Sequence, residues 1–375
     1  MKNKKNTRNS QDSKSQDFLY DYKKSGKLRP WDKRKAITDE ISRACFQIPG
    51  LERYGEMMCS CGSFLGFEAC VILEHGKVLK KASFCKYRLC VMCQSRKAVI
   101  TRKQVFDLAS WHLEKYPNDV PLLLTLTIPN VSGENIGKTI DRMTKAFERL
   151  SKRKVVKGMN RSWFKSLEIT YNRDRVDFHP HFHVLMMVPP EYFRMKSGLY
   201  ITHGKWLNLW QEAMRDSTIT QVDVRKIKDT GEGKLEAIIA EVAKYATKPS
   251  SYVFENDCGE LEVDNQALEH LHYGLKGRRL IGYGGYFKEV RKEKRLLDVE
   301  ESDLVSVDEE EIDEDGVVKE SSQKVSCCKI CNLPLVEENY HWTQKIKRYL
   351  RICPKEDGSE RYRSGLETVQ CRGPT

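Results

Sequence analysis

Two strand patterns joined by a short polar turn, at residues 162–188, constrain the fold of this chain more than any other feature. "SWFKSLEITY" (162–171) and "FHPHFHVLMMV" (178–188) have the length and the apolar, aromatic composition of strands. "NRDR" (172–175) between them is a turn sequence. Strands joined by so short a turn pair as a hairpin, so the sheet that contains them is antiparallel.

The segments around the hairpin extend this sheet. "PLLLTLTIPN" (121–130) and "TQVDVRKIK" (220–228) have strand patterns, whereas residues 134–153 and 205–214 have helical periodicity. The resulting order, β-α-β-β-α-β, predicts an α+β domain with a ferredoxin-like antiparallel sheet. We expect one face of this sheet to be buried and the other to be free for a functional site.

Histidines alternate along the second strand of the hairpin. Residues two apart in a strand point to the same side, so His181 and His183 share one face, and His179 joins them if the strand begins that early. Glu168 lies in the partner strand and is the candidate third ligand. Two histidines and a carboxylate suit Mg²⁺, Mn²⁺ or Zn²⁺ with positions left for water or substrate. The alternative is a pair of ordinary surface or core histidines.

A further predicted helix, at residues 234–248, carries three polar side chains on one face. Glu241, Tyr245 and Lys248 occupy positions i, i+4 and i+7. Beside a divalent metal, the Tyr245 phenol is a candidate nucleophile toward phosphorus, Glu241 a candidate base for water, and Lys248 a candidate phosphate contact. The alternative is an ordinary solvated helix face.

Thirteen cysteines in a chain with no visible secretory signal predict thiols or metal ligands in a reducing compartment rather than disulfides. Cys90 and Cys93 have the spacing of a zinc knuckle, and Cys85 lies just upstream. Cys61, whose "CGSF" block resembles a family block named below, would complete a structural Zn²⁺ site, with Cys59 as a competing ligand. The alternative is a set of buried, reduced cysteines.

A second zinc knuckle is a candidate near the C-terminus. Cys328 and Cys331 have the same spacing, and Cys353 and Cys371 are candidate partners, although the spacing of these later ligands is irregular and leaves the question open.

The charge distribution favours a polyanionic partner. Twelve acids and one lysine give residues 298–320 a net charge of −11, so the rest of the chain carries +23 against a total of +12. Nucleic acid is the simplest partner for such a surface, although many basic proteins bind nothing charged. Composition and element pattern divide the chain into a flexible basic arm (1–49), a zinc-binding module (50–98), a folded domain that holds the candidate catalytic residues (99–296), an acidic linker (297–325) and a cysteine-rich tail (326–375).

Three blocks, in order, carry a resemblance to a known family. "LLLTLTIPN", "HPHFHVL" and "EVAKYATK" look like the three motifs of the rolling-circle replication initiators of small bacterial plasmids, which are HUH endonucleases. "CGSF", "FCKYRLCVMC" and "GLKGRRLIGYGGYFKEV" are similar to that family's flanking blocks. The resemblance covers roughly residues 50–295.

This resemblance implies the HUH endonuclease fold and a mechanism. The initiator nicks one strand at the double-strand origin, its tyrosine becomes linked to the 5′ phosphate, and the free 3′ hydroxyl primes synthesis. By motif position Tyr245 is the nucleophile, His181 and His183 are ligands of Mg²⁺ or Mn²⁺, and Glu241 serves the terminating hydrolysis. Glu168 as third ligand is an inference from the hairpin and not from the family.

The resemblance also bears on partners and location. It implies origin DNA as the substrate and a bacterial cytoplasmic protein with no membrane contact, and it leaves a host helicase and self-association open. Four basic residues near the last block are predicted DNA-backbone contacts: Arg278, Arg279, Lys288 and Arg291.

Three other functions compete with this prediction. A single-tyrosine transposase of the same fold would use the same residues. A non-catalytic, zinc-containing DNA-binding regulator explains the charge and the cysteines but not the histidine strand. A non-haem iron oxygenase explains two histidines and a carboxylate but not Tyr245 or the basic surface.

Overall fold

The protein is an α+β molecule with antiparallel sheets, as predicted. The computed structural model describes residues 18–23, 26–72, 75–226, 235, 239–240, 242–243, 249–305, 327–354 and 360–362. The α-helices within them are α1 (Trp31–Gln47), α2 (Glu52–Cys59), α3 (Val91–Lys115), α4 (Ile136–Lys152), α5 (Lys154–Met159), α6 (His203–Met214), α7 (Asn265–Leu275) and α8 (Tyr286–Glu293). The strands are β1 (Phe64–Ala69), β2 (Lys77–Ala82), β3 (Val120–Thr127), β4 (Ser162–Asn172), β5 (Asp177–Val188), β6 (Val222–Lys226), β7 (Val253–Glu255), β8 (Leu261–Val263), β9 (Ile281–Gly285), β10 (Val336–Thr343), β11 (Arg348–Pro354) and β12 (Glu360–Tyr362).

The chain divides into two compact units. The first combines residues Met1–Arg96 with Asp303–Thr375, and the second is Lys97–Ser302. Helix α3 begins in the first unit and continues into the second. No helix in the described part of the chain combines the length and the hydropathy needed to cross a bilayer.

One antiparallel sheet of the first unit contains strands from both ends of the chain. Its order is β12-β11-β10-β1-β2. Strand β10 pairs with β1 from Phe64↔His341 to Ala69↔Val336. The predicted division into an N-terminal module and a separate C-terminal tail therefore differs from the structure, in which the two segments share one sheet. Pairing between strands so far apart in sequence leaves no local signal.

Helix α1 corrects the predicted flexible arm. Residues 31–47 form a helix that buries Ile41, Ala44 and Cys45 although its sequence is highly charged. The buried Lys35 donates to Asp39 at 2.6 Å, and the indole of Trp342 in β10 donates to the same carboxylate at 2.7 Å. These tertiary partners satisfy polar groups that, in sequence alone, suggested an exposed segment.

The second unit contains the predicted hairpin and its neighbours. Its five-stranded antiparallel sheet has the order β6-β3-β5-β4-β9. The four predicted strands of the β-α-β-β-α-β segment are adjacent, in the order fourth, first, third, second. Strand β9 adds a fifth at the edge, through Ser162↔Gly285 to Ser166↔Ile281.

Helices cover both faces of this sheet, so the prediction of one free face is wrong. On one face Phe147 of α4 contacts Trp163 and Phe182 with ring centroids 4.9 and 6.1 Å apart. On the other face a core cluster packs side chains of α3 and α8, together with Ile239 and Val242, against the sheet, and its members include Leu108, Leu185 and Phe287. The apolar half of this second face anchors the sheet, and its polar half carries the site described below.

Two further findings differ from the sequence predictions. The start of the predicted acidic linker, residues 298–305, is described, and Val299 and Leu304 within it are buried. Residues 306–326 lie outside the described part. Cys59 is in a disulfide bond whose partner is not among the described side chains. The expectation that every cysteine is a thiol or a metal ligand is therefore wrong at this position.

Candidate active site and metal centres

A carboxylate and two imidazoles meet on the sheet of the second unit. The hairpin register places Glu168 of β4 directly opposite His181 of β5, with His183 one same-face position further along. Glu168 Oε2 lies 2.9 Å from His183 Nε2 and 3.4 Å from His181 Nε2. All three side chains are buried, and their ligand atoms lie within 4.8 Å of one another.

The far side of each imidazole has its own polar neighbour. His181 Nδ1 lies 3.2 Å from the backbone carbonyl of His179, and His183 Nδ1 lies 3.4 Å from the hydroxyl of Thr125 in β3. A carbonyl only accepts, so a proton on His181 Nδ1 would satisfy this contact and leave the Nε2 lone pair for a metal ion. Outer contacts of this kind orient the histidine ligands of metal sites.

This arrangement has the chemistry of an open metal site. Two neutral imidazoles and one carboxylate leave positions for water or a phosphate oxygen on a divalent ion. His179 lies on the same face, with its ring 5.3 Å from that of His181, but it is not part of the ligand set.

Four described residues, Leu235, Ile239, Val242 and Ala243, lie against the same face of the sheet. The hydroxyl of Ser166, which pairs with His183 in the hairpin register, donates a hydrogen bond to the carbonyl of Val242. Ile239, Val242 and Ala243 are buried in the core cluster. This polar contact between β4 and Val242 had no signal in the sequence. The three predicted catalytic residues Glu241, Tyr245 and Lys248 lie outside the described residues.

Four cysteines converge in the first unit. The Cys61 Sγ lies 3.5 Å from the Sγ atoms of both Cys90 and Cys93, and the Cys85 Sγ lies 3.6 Å from that of Cys93. The backbone N–H of Lys86 donates to Cys93 Sγ at 3.2 Å. Sulfurs bound to one tetrahedral Zn²⁺ at ~2.3 Å lie about 3.8 Å apart, so this set is consistent with a zinc site. Cys59, the competing ligand, is not part of it.

A second set in the first unit differs from the one considered in the sequence. Cys328 and Cys331 meet Cys70 and His75 rather than described side chains of the C-terminal strands. Of the predicted partners, Cys353 lies in β11 with its side chain undescribed, and Cys371 lies outside the described residues. Cys70 and His75 gave no usable signal because about 250 residues separate them from the knuckle.

The four residues predicted to contact DNA differ in whether their side chains already have partners within the protein. Arg278, three residues after the end of α7, binds both carboxylate oxygens of Asp141 in α4, at 2.9 and 2.8 Å. The guanidinium of Arg291 lies 3.9 Å from the centre of the Tyr283 ring. Arg279 and Lys288 are exposed. A DNA contact of any of the four remains a prediction.

A buried polar network, which sequence reasoning missed, supports the opposite end of the sheet. His112 Nδ1 lies 2.9 Å from the Ser162 hydroxyl, and its Nε2 lies 2.9 Å from Asp119. Arg161 contacts the second oxygen of Asp119 at 3.2 Å. Burial lowers the pKa of His112 below its ordinary 6.5, although Asp119 opposes this shift. The serine and the histidine are fully enclosed, so we assign this triad to the fold and not to catalysis.

These observations define a class of protein. The chain is an α+β protein with a histidine–carboxylate cluster suited to a divalent metal and two cysteine-containing clusters consistent with zinc. It belongs to the family described as Replication protein, whose model matches residues 76–331.

Individual relatives agree with this assignment. Protein rep of Streptococcus pneumoniae is 35% identical over 290 residues, which cover 77% of this chain and 87% of the relative. Protein rep of Lentilactobacillus hilgardii is 34% identical over 310 residues, covering 82% and 95%. Protein rep of Staphylococcus aureus is 38% identical over 204 residues, covering 54% and 85%. No solved structure matches the chain.

Proposed function

We propose that this protein initiates rolling-circle replication of a bacterial plasmid by nicking one strand at the double-strand origin. The proposal assigns it the HUH endonuclease fold, with Tyr245 as nucleophile and Glu168, His181 and His183 as the ligands of Mg²⁺ or Mn²⁺. Membership of the replication protein family supports this assignment, as does the cluster of one carboxylate and two imidazoles.

The observation that carries the proposal is the contact between the metal-site strand and the segment that leads to the tyrosine. Ser166 stands opposite His183 and binds the carbonyl of Val242. Tyr245 follows Val242 by three residues in sequence. A tyrosine so close in sequence to a residue that touches the metal-site face is the natural nucleophile for a phosphate bound there.

The proposed chemistry is two transfers at phosphorus. The Tyr245 oxygen attacks the scissile phosphate and loses its proton to solvent, while the bond to the 3′ oxygen breaks and that oxygen takes up a proton. A bound divalent ion would stabilise the charge on the phosphate oxygens. In termination, Glu241 removes a proton from water, which attacks phosphorus; the bond to the Tyr245 oxygen breaks, and that oxygen takes up a proton. Lys248 would hold the phosphate in both steps.

The test is formation of a covalent protein–DNA adduct. Full-length protein, with Mn²⁺ and labelled single-stranded oligonucleotides tiled across the plasmid origin, is expected to yield an adduct that Tyr245→Phe lacks. Tyr252→Phe is the matched control because Tyr252 is fully buried and cannot reach DNA. Glu168→Gln is expected to reduce adduct formation at limiting Mn²⁺ and to recover in part at high Mn²⁺.

The outcomes separate the alternatives. An adduct that persists in Tyr245→Phe would show that the nucleophile is wrongly assigned. Origin binding with no adduct from any oligonucleotide would favour the non-catalytic regulator. Joining of the cleaved strand to an unrelated target DNA would favour the transposase.

A further inference from the structure

We propose that Cys70, His75, Cys328 and Cys331 form a structural Zn²⁺ site that fastens the C-terminal strands to the N-terminal hairpin of the first unit. This inference does not depend on the nicking activity. The four ligand atoms lie within 4.8 Å of one another, although Cys70 and Cys331 are 261 residues apart in sequence.

The distances fit a tetrahedral ion with three sulfurs and one nitrogen. With Zn–S near ~2.3 Å and Zn–N near ~2.0 Å, tetrahedral geometry places sulfur and nitrogen about 3.5 Å apart and two sulfurs about 3.8 Å apart. His75 Nδ1 lies 3.4 Å from Cys70 Sγ and 3.5 Å from Cys328 Sγ. The Cys70 and Cys331 sulfurs are 3.5 Å apart, well beyond the ~2.05 Å of a disulfide.

Backbone amides also point at the sulfurs, as they do around metal-bound thiolates. The N–H groups of Ile330 and Cys331 donate to Cys328 Sγ, and the N–H of Ile72 donates to Cys70 Sγ at 3.4 Å. Donors aimed at sulfur stabilise the thiolate form that binds zinc.

Little apolar packing holds these loops together. Four large apolar side chains next to the ligands are exposed to solvent, at 61, 37, 59 and 42%: Val71, Ile72, Ile330 and Leu333. Small loops without an apolar core need another constraint, and a zinc ion supplies one.

The position of the site explains what the ion would do. Cys70 directly follows β1 and His75 lies just before β2, so both belong to the turn of the N-terminal hairpin. Cys328 and Cys331 lie in the loop before β10, the strand that pairs with β1. One ion at this end of the sheet would link all three strands and fix the register between segments from opposite ends of the chain.

The first measurement is the zinc content of the purified full-length chain. We expect two zinc ions per chain in the wild type and one in the double variant Cys70→Ser/Cys331→Ser. The neighbouring, exposed Cys327→Ser should retain two. A wild-type content of one that the double variant leaves unchanged would overturn the proposal, and so would loss of one zinc in Cys327→Ser.

Cobalt substitution keeps the test decisive if the double variant folds poorly. In the protein loaded with Co²⁺, His75→Cys should retain two metal ions and shift the ligand-field absorption of one of them from an S₃N to an S₄ spectrum. An unchanged spectrum would show that His75 is not a ligand. Hydrogen exchange tests the structural consequence. Backbone amides of both β1 and β10 should exchange faster in the double variant than in the wild type, but not in Cys327→Ser.

Discussion

Two buried ionisable side chains of the second unit illustrate how the folded chain changes the chemistry of single residues. Lys165 is buried on the α4 face of β4, with its ammonium 3.8 Å from the centre of the Phe182 ring. Burial lowers the pKa of Lys165 to about 8. His112, on the other face, is shifted in the same direction for the same reason. In each case removal from water disfavours the charged form.

Replacing Lys165 with methionine should stabilise the protein. The lysine stem packs between aromatic rings, and methionine fills a similar volume without a charge to desolvate. We expect Lys165→Met to raise the free energy of unfolding by about 1–3 kcal/mol at pH 7, measured by denaturant titration. A loss of stability would show that the contact of the ammonium with the Phe182 ring outweighs its desolvation.

His112 should make stability depend on pH near neutrality. Because its folded pKa lies below 6.5, the unfolded chain binds more protons as the pH falls through 6.5. The stabilisation from this residue is thus complete above pH 6.5 and declines below it. At pH 8, His112→Gln should be less stable than the wild type by roughly 1–3 kcal/mol because Ser162 and Asp119 lose partners. The difference should narrow toward pH 5, and a constant difference would contradict the pKa shift.

Among the helices and strands, the sequence predicted the ones whose apolar residues recur with a regular helical or strand periodicity. The face of α4, formed by Ile136, Ile140, Met143, Phe147 and Leu150, is entirely buried as expected. Helix α1 escaped prediction because the partners that offset its buried charges, such as Trp342, come from distant sequence. The edge strand β9 also escaped, since its glycine-rich sequence has little strand propensity and tertiary pairing with β4 fixes it.

Strand β9 should tolerate replacement of Gly282 but not of Gly285. Gly285 has a φ of +57°, and a Cβ there would overlap the carbonyl oxygen of Arg161. A Cβ at Gly282 would lie no closer than 3.6 Å to Lys165 or Trp163. We expect Gly285→Ala to cost at least ~2 kcal/mol in thermal or chemical unfolding and Gly282→Ala less than ~1 kcal/mol. Equal costs would show that the positive φ at Gly285 is not required.

For the whole molecule, charge is the property that most constrains function. The acidic stretch 298–320 conceals how basic the remaining chain is, at +23. Such a surface favours DNA through release of counterions from phosphate, and not through base recognition.

Binding to origin DNA should weaken steeply with salt. For an interface of roughly 6–10 phosphate contacts, we expect affinity to fall about 10³–10⁵-fold between 50 and 200 mM salt. Fluorescence anisotropy with a labelled origin duplex would measure this slope. The exposed Arg279→Ala should reduce the slope by about one unit, whereas Arg278→Ala should mainly lower stability because Arg278 already binds Asp141. A slope below about two would exclude an interface of this size.

The sequence by itself predicted the hairpin, the placing of Glu168, His181 and His183 on one face of it, and the grouping of Cys61, Cys85, Cys90 and Cys93, but it left Cys59 open as a competing ligand. These features depend on period and short spacing, which local sequence preserves. Only the tertiary structure decided that the two ends of the chain share a sheet, that both faces of the second sheet are covered, and that Cys328 and Cys331 meet Cys70 and His75. Each of these depends on contacts between distant segments, and the free energy of such contacts comes from burial and pairing in the assembled fold, where no local pattern records it.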